Sequence, residues 1–279
     1  MNQMKYHIFL LAGGDEERRE IMDVLDPKKK YKSKVLLPIF DKTVLEWVVE
    51  EYNKSPYVEK ICIVGLSEQD IELKIPVEYI PVDSYAPLSQ KYLAGLRYLE
   101  EHHLPTDKII FSSSDCPGVK VETLNYFLEQ IENKNGYDFI LSVIPLEIVE
   151  EHFPDSKRGV VRLKDINATQ GELALFSPYT LRMREKQIDV FTTLRKKRKF
   201  WPFFWYLVKH PAAWSKIFKI LIGRGTLQDA IIGFTRAFKI KVDVVIIEDA
   251  GLSLDMDLPE DYGKLKNYVH KVKIQNEPK

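Results

Sequence analysis

The sequence predicts an α/β protein: a mostly parallel, twisted sheet flanked by helices, with a helical insertion towards its C-terminal end. Apolar runs of strand length alternate with amphipathic runs as far as Pro145. The links between these runs are short, as in a parallel sheet wrapped by helices. Three of the strand-like runs also stop abruptly, at Gly13-Gly14, at Gly65 and at Asp115.

Tyr6 to Gly14 (YHIFLLAGG) reads as a buried strand whose two closing glycines permit a tight turn and a close approach of a ligand to the backbone. Ligands of open parallel sheets sit outside the carboxyl ends of the strands, so the chain opens on a candidate phosphate or nucleotide site. It is neither common phosphate loop: no GxxxxGK[ST] occurs, and no GxGxxG follows Gly13. A plain strand-turn is the other reading.

A charged stretch runs to Ser33, and a short extended segment from Lys34 then leads into a helix over 44–52, where Val44, Leu45, Val48 and Val49 recur at helical spacing. Residues 60–65 and 77–82 make the second and third strands, and 87–103 a helix with Leu93, Leu96 and Leu99 on one face. Residues 108–117 form a fourth strand that ends on Asp115, followed by a helix over 121–133 and a strand over 137–144. Past Pro145 the expected elements are short strands at 159–163 and 172–176 around a turn, a largely helical stretch at 177–199, a helix at 226–238 and a strand at 241–247. A last helix over 259–272 would be capped by Asp257 or by the backbone before Pro259. With no repeat and no linker, residues 1–279 are expected to form one domain carrying an insertion at about 177–240.

Lysine plus arginine and aspartate plus glutamate both number 41, so no global field draws the chain to nucleic acid. Charge is uneven locally, with acids gathered between Asp15 and Asp26 and five bases at Arg195 to Lys199. Cys62 and Cys116 give neither a disulfide framework nor a zinc spacing, and the N-terminus shows no signal-peptide pattern. A cytoplasmic location is expected, with a peripheral place at the inner membrane face as a variant.

Gly13-Gly14, Asp115 and the cluster Asp255, Asp257 and Asp261 all fall at strand ends. Carboxylates distant in sequence but close at the mouth of a sheet suit Mg²⁺, which takes one or two of them and completes its shell with phosphate and water. Asp115 and Asp257 are equally placed to cap the helices that follow them, and Lys34 to be a solvated lysine. Ser112, Ser113 and Ser114 have no matching histidine and aspartate of a hydrolase motif, and no HExxH occurs.

LLAGG at 10–14, Lys34 in KVLLPIFDKTVLEWVVEE, Ser114-Asp115-Cys116-Pro117 and LDMDLPEDY at 254–262 occur in this order along nearly the whole chain. Together they resemble the MobA-like nucleotidyltransferases of the nucleotide-diphospho-sugar transferase (GT-A-like) superfamily. The resemblance implies a Rossmann-like sheet and the transfer of an NMP group from an NTP, CTP or GTP first among them, to a phosphorylated small-molecule acceptor, with release of pyrophosphate. It implies that the backbone at Leu11, Ala12, Gly13 and Gly14 holds the nucleotide, that Lys34 meets its phosphates as the catalytic cation, that Asp115 binds Mg²⁺, and that Asp255 or Asp257 supplies the second carboxylate. It places base recognition at Asp83 to Lys91.

The chain also departs from the family pattern. Asp15-Glu16-Glu17-Arg18 replaces a small basic loop, Lys34 follows an inserted PKKKYKS, and Thr169-Gln170-Gly171-Glu172 stands where many relatives have TGGN. The competing expectations are a GT-A-type glycosyltransferase, for which the second aspartate of a DxD is missing at Asp115, and a catalytically impaired nucleotide- or membrane-binding relative. Residues 195–224 join bases to aromatic residues, interrupted by Lys209 and Pro211, too short an apolar run for a membrane span. Trp214, Ile217, Phe218 and Leu221 share a helical face, which suits a lid or homodimer surface on one reading and an anionic lipid interface on the other.

Overall fold

The computed structural model describes residues 4–14, 20–156, 159–183, 188 and 210–275. The loop Asp15 to Arg18 and the segment holding Arg195 to Lys199, Trp201 and Trp205 lie outside them.

β1 (Tyr6–Leu11) is followed by α1 (Glu20–Leu25), a small hairpin of β2 (Pro38–Ile39) and β3 (Lys42–Thr43), and α2 (Val44–Asn53). Helix α1 falls in a stretch whose charges hid it; the fully buried Ile21 anchors it to the core. Thr43 starts α2 reciprocally: its hydroxyl accepts from the Glu46 N–H at 3.2 Å, and the Glu46 carboxylate accepts from the Thr43 N–H at 2.7 Å. β4 (Val58–Val64), β5 (Glu78–Ile80), α3 (Leu88–Glu101), β6 (Ile109–Ser113), α4 (Val121–Glu132) and β7 (Phe139–Pro145) follow as the periodicity predicts. The chain continues through α5 (Leu146–His152), β8 (Val160–Arg162), β9 (Asn167–Phe176), α6 (Pro178–Met183), α7 (Trp214–Leu221), α8 (Leu227–Phe238), β10 (Val242–Ile246) and α9 (Pro259–Val269).

Among the described residues the main sheet has eight strands in the spatial order β10-β7-β9-β6-β1-β4-β5, with β8 paired to β9 off that path. β1 lies parallel to β4 and β6, β4 to β5, and β7 to β10. β9 is the exception, antiparallel to both β6 and β7. It is also longer than its sequence signal at 172–176, because Gln170 and Gly171 interrupt the apolar pattern. At Gly171 the pairing of β7 and β9 leaves no room for a side chain, which would begin 2.5 Å from the Ser142 hydroxyl oxygen. Ser142 Oγ donates to the Leu173 carbonyl at 2.8 Å and accepts from its N–H at 3.1 Å, mending the ladder where the register shifts.

Alternation along β1 assigns its side chains to the two faces of the sheet. Tyr6, Ile8, Leu10 and Ala12 join the core shared with α2, α4 and α9, while Phe9 faces the core under α3 and α8. Helix α3 approaches closely through Gly95, where a Cβ would stand 3.0 Å from ring atoms of Phe9 and Phe111. The last helix starts at Leu258, whose N–H donates to Asp261 at 2.9 Å, with Pro259 in the first turn. Asp257 is therefore not its cap, and α4 likewise begins beyond Lys120, well past Asp115.

Gly95→Val should overpack the joint between α3 and the sheet and lower stability by about 1–3 kcal/mol. Urea denaturation checks this; an unchanged midpoint would mean that the two rings yield without cost.

Candidate functional site

β1 ends between two parallel neighbours, and the chain beyond it is held through its carbonyls. The Ala12 N–H continues the ladder to the Val64 carbonyl at 2.9 Å. Ser114 Oγ donates to the Leu11 carbonyl at 2.6 Å, and Ser33 Oγ to the Ala12 carbonyl at 3.1 Å. Among the described residues none accepts from the N–H of Gly13 or Gly14. The loop thus holds two backbone donors with no acceptor among the described residues, a resource that a bound anion can use.

Both glycines are required by contact rather than by an unusual φ. A Cβ on Gly13 would stand 2.2 Å from Lys91 Nζ and 2.3 Å from the Ser84 carbonyl oxygen, and one on Gly14 would meet the Tyr85 ring at 2.6 Å. The 83–91 segment therefore lies directly against the end of β1. It is tied there by Lys91 Nζ donating to the Ser84 carbonyl at 2.7 Å and by Ser84 Oγ donating to the Gly65 carbonyl at 2.7 Å. Gly65 sits at φ +99°, a conformation that suits glycine, with its Cβ position 3.2 Å from the Gly13 Cα.

Lys34 opens a short 3₁₀ turn, Lys34–Leu36, and reaches across the mouth of the sheet. Its ammonium lies 2.6 Å from Asp115 Oδ2 and 2.8 Å from Asp257 Oδ1. Asp115 stands two residues past the end of β6, where Ser113 Oγ donates to its other oxygen. Asp255 and Asp257 arrive from the far end of the chain, brought in by a backbone contact in which a Cβ on Gly251 would stand 2.4 Å from the Gly118 carbonyl oxygen. One carboxylate oxygen from each of Asp115, Asp255 and Asp257 falls within 4.8 Å of the others, and all three residues are buried. Against them stands the Lys34 ammonium, itself 19% exposed. Several clustered buried carboxylates raise the energy of the charged forms unless cations answer them. The donor set, three hard carboxylate oxygens within 4.8 Å of one another, fits Mg²⁺.

The inserted segment before Lys34 is fastened at both ends. The buried Asp26 accepts from the N–H groups of Lys30 at 2.9 Å and Tyr31 at 2.7 Å, and Lys32 pairs with Asp70 at 2.9 Å. Between this segment and the end of β1 opens a cleft of about 210 Å³, lined by Gly14, Asp26, Lys29, Ser33, Lys34 and Tyr85 among others.

The structure thus gathers all the residues singled out from sequence, Leu11, Ala12, Gly13, Gly14, Lys34, Asp115, Asp255 and Asp257, at one end of the sheet. Sequence inspection missed Ser33, Ser84, Ser114 and Lys91 as supports of the glycine loop. Serine next to Lys34 and next to Asp115 was the one available signal. Thr169 and Gly171 serve β-structure, the Thr169 hydroxyl donating to the Gly159 carbonyl at 3.1 Å.

A family model for the MobA-like NTP transferase domain matches residues 8–187, more than half of the chain. Among solved structures, a hypothetical transferase from Thermus thermophilus is 20% identical, with a TM-score of 0.68 over 93% of this chain and 99% of that one. CMP:2-keto-3-deoxy-manno-octonic acid synthetase complexed with CTP is 10% identical, with a TM-score of 0.53 over 96% and 99%. The 4-diphosphocytidyl-2C-methyl-D-erythritol synthase of Anaerococcus prevotii is 12% identical, with a TM-score of 0.51 over 96% and 99%. These likenesses establish the shared fold. No curated protein sequence matches the chain.

Lys34→Met should leave the clustered carboxylates without their bridging cation. In metal-free buffer its melting temperature should fall by about 5 °C, and added Mg²⁺ should restore more than it adds to the wild type. Calorimetry with and without Mg²⁺ checks this, and equal melting behaviour of the two proteins would show that the carboxylates are balanced by other means.

Proposed function

Because the chain belongs to the MobA-like NTP transferase domain family, a family of nucleotidyltransferases, we propose that it moves an NMP group from an NTP to a phosphorylated small-molecule acceptor: a sugar, alcohol or cofactor phosphate. The observation that carries this reading is the meeting of Lys34 with Asp115 and Asp257 on the cleft that Lys34 shares with Gly14 of the glycine loop.

Gly13 and Gly14 donate to the triphosphate, with Leu11 and Ala12 fixing their loop. Lys34 swings from the carboxylates to the phosphate oxygens, where its charge offsets what builds up as the bond to pyrophosphate breaks. Asp115, Asp255 and Asp257 would hold Mg²⁺, which neutralises phosphate oxygens when bound. An oxygen of the acceptor's phosphate attacks the α-phosphorus in line, the bond from that phosphorus to the bridging oxygen breaks, and pyrophosphate leaves with the electron pair. Holding the two phosphates in line is the larger part of catalysis here, since the reaction needs no covalent enzyme intermediate.

The CTP-bound neighbour makes CTP the first nucleotide to test and GTP the second. A nucleotide-sugar glycosyltransferase fits less well: a DxD would put its second carboxylate two residues beyond Asp115, where Pro117 stands, and here the further carboxylates come from Asp255 and Asp257. In this proposal residues 1–279 act as one domain in the cytoplasm, with the segment at about 177–240 inserted between β9 and β10. No described helix is long and apolar enough to cross a membrane.

Pyrophosphate release should appear with Mg²⁺, one of the four NTPs and a member of a panel of sugar and alcohol phosphates. Asp115→Asn should lower that turnover by about 10²-fold or more while the protein stays folded. Silence with every NTP would indicate the impaired relative, and undiminished turnover would remove Asp115 from the site.

A further inference from the structure

Asp115 comes to the site on one loop and the pair Asp255 and Asp257 on another, and the two loops are tied together away from these carboxylates. The tie is a fourth aspartate, Asp249, six residues before Asp255. It opens the 3₁₀ turn Ala250–Leu252, where its Oδ1 accepts from the Gly251 N–H at 3.3 Å. The same oxygen accepts from the Tyr268 hydroxyl at 3.3 Å and lies 3.4 Å from Lys120 Nζ, while Oδ2 accepts from the Thr123 hydroxyl. Lys120 and Thr123 stand at the start of α4, directly after the loop that holds Asp115. With its side chain only 14% exposed, Asp249 thus collects three hydrogen bonds and an ammonium, a set that an acceptor-only, charged carboxylate suits.

The backbones of the two loops touch without any side chain of their own to hold them. A Cβ on Gly251 would stand 2.4 Å from the Gly118 carbonyl oxygen, and one on Gly118 would stand 2.5 Å from the Tyr268 ring. Asp249 supplies the directed bonds across this joint. Beyond it the arm is stiff: residues 250–257 are all buried, and Leu252, Leu254 and Met256 pack into the core in alternation with Ser253, Asp255 and Asp257. A close-packed arm passes a shift at one end to the other, and ligand oxygens must hold their places to within about 0.5 Å.

We propose that Asp249 is a positioning residue for the carboxylate site, pinning the turn that leads to Asp255 and Asp257 onto the start of α4 and so onto the loop of Asp115. It acts through the two loops and holds no cation itself. This inference rests on the reading of Asp115, Asp255 and Asp257 as holders of a divalent cation.

The test is titration of the full chain with Mn²⁺, which takes the same hard oxygen donors as Mg²⁺ and whose free form is counted directly by electron paramagnetic resonance. Asp249→Ala and, separately, Thr123→Val should each weaken Mn²⁺ binding by about tenfold, the scale of losing a residue that orients ligands from behind. Thr123→Val keeps the side-chain shape and carries the test if Asp249→Ala does not fold. Gly95→Val, which strains the opposite face of the sheet, should bind Mn²⁺ as the wild type does. Wild-type affinity in both Asp249→Ala and Thr123→Val, or in Thr123→Val alone where Asp249→Ala does not fold, overturns the positioning role and leaves the cation site standing. An equal loss in Gly95→Val also overturns it, since the effect would then follow general destabilisation. A wild type that binds no Mn²⁺ removes the cation site and this inference with it.

Discussion

One ammonium holds the site together. Lys34 touches Asp115, which follows a central strand, and Asp257, which lies 223 residues further along the chain. Two carboxylates brought that close repel each other in a poorly solvated cleft, so their approach depends on a cation between them. The arrangement also explains why the insertion before Lys34 is so firmly fastened through Asp26 and Asp70: a lysine that must sit between two specific oxygens cannot ride on a loose loop. Lysine suits this place because its ammonium is compact and its stem is long enough to turn from one set of oxygens to another.

The glycine loop illustrates a second constraint, the full accounting of buried polar groups. Hydroxyls from Ser33 and Ser114 take up carbonyls at the end of β1, and Ser84 takes up the Gly65 carbonyl. The serines thereby satisfy the acceptors, while the donors of Gly13 and Gly14 meet no acceptor among the described residues. Lys91 closes the same joint from α3, its buried ammonium resting on the Ser84 carbonyl.

Much of this was legible in the chain itself. Strand and helix periods through Pro145 are strong because the central strands are buried on both faces, as the alternation of Ile8, Phe9 and Leu10 between two cores makes plain. Gly13, Gly14, Lys34, Asp115 and the Asp255–Asp257 pair stood out because each breaks an apolar pattern at a strand end. Whether the aspartates were caps was not decidable from sequence, since a helix follows both; only the positions of Lys120 and Leu258 as helix starts separate the readings. The supporting roles of the serines and Lys91 were not legible beyond the adjacency of Ser33 to Lys34 and of Ser114 to Asp115, because a hydroxyl or ammonium bonded to a remote carbonyl leaves no periodic trace. Strand β9 was half seen: its apolar half was evident, while Gln170 and Gly171 concealed its first turns of pairing and its antiparallel sense.

That antiparallel strand also joins the two halves of the sheet. β1, β4, β5 and β6 complete a parallel half-sheet by Ser113, with the edge of β6 still open. β7 emerges next, yet it never pairs with β6; the place between them belongs to β9, which is synthesised last of the three. The finished sheet therefore seats its later strand between two earlier ones. Direct closure of β7 onto β6 is the competing, misregistered product, and β10 can join productively only on the far side of β7. Because β9 carries a ladder on each edge, it alone among the described strands ties the β7–β10 pair to the parallel half-sheet, and any change that weakens one of its edges loosens the two halves from each other.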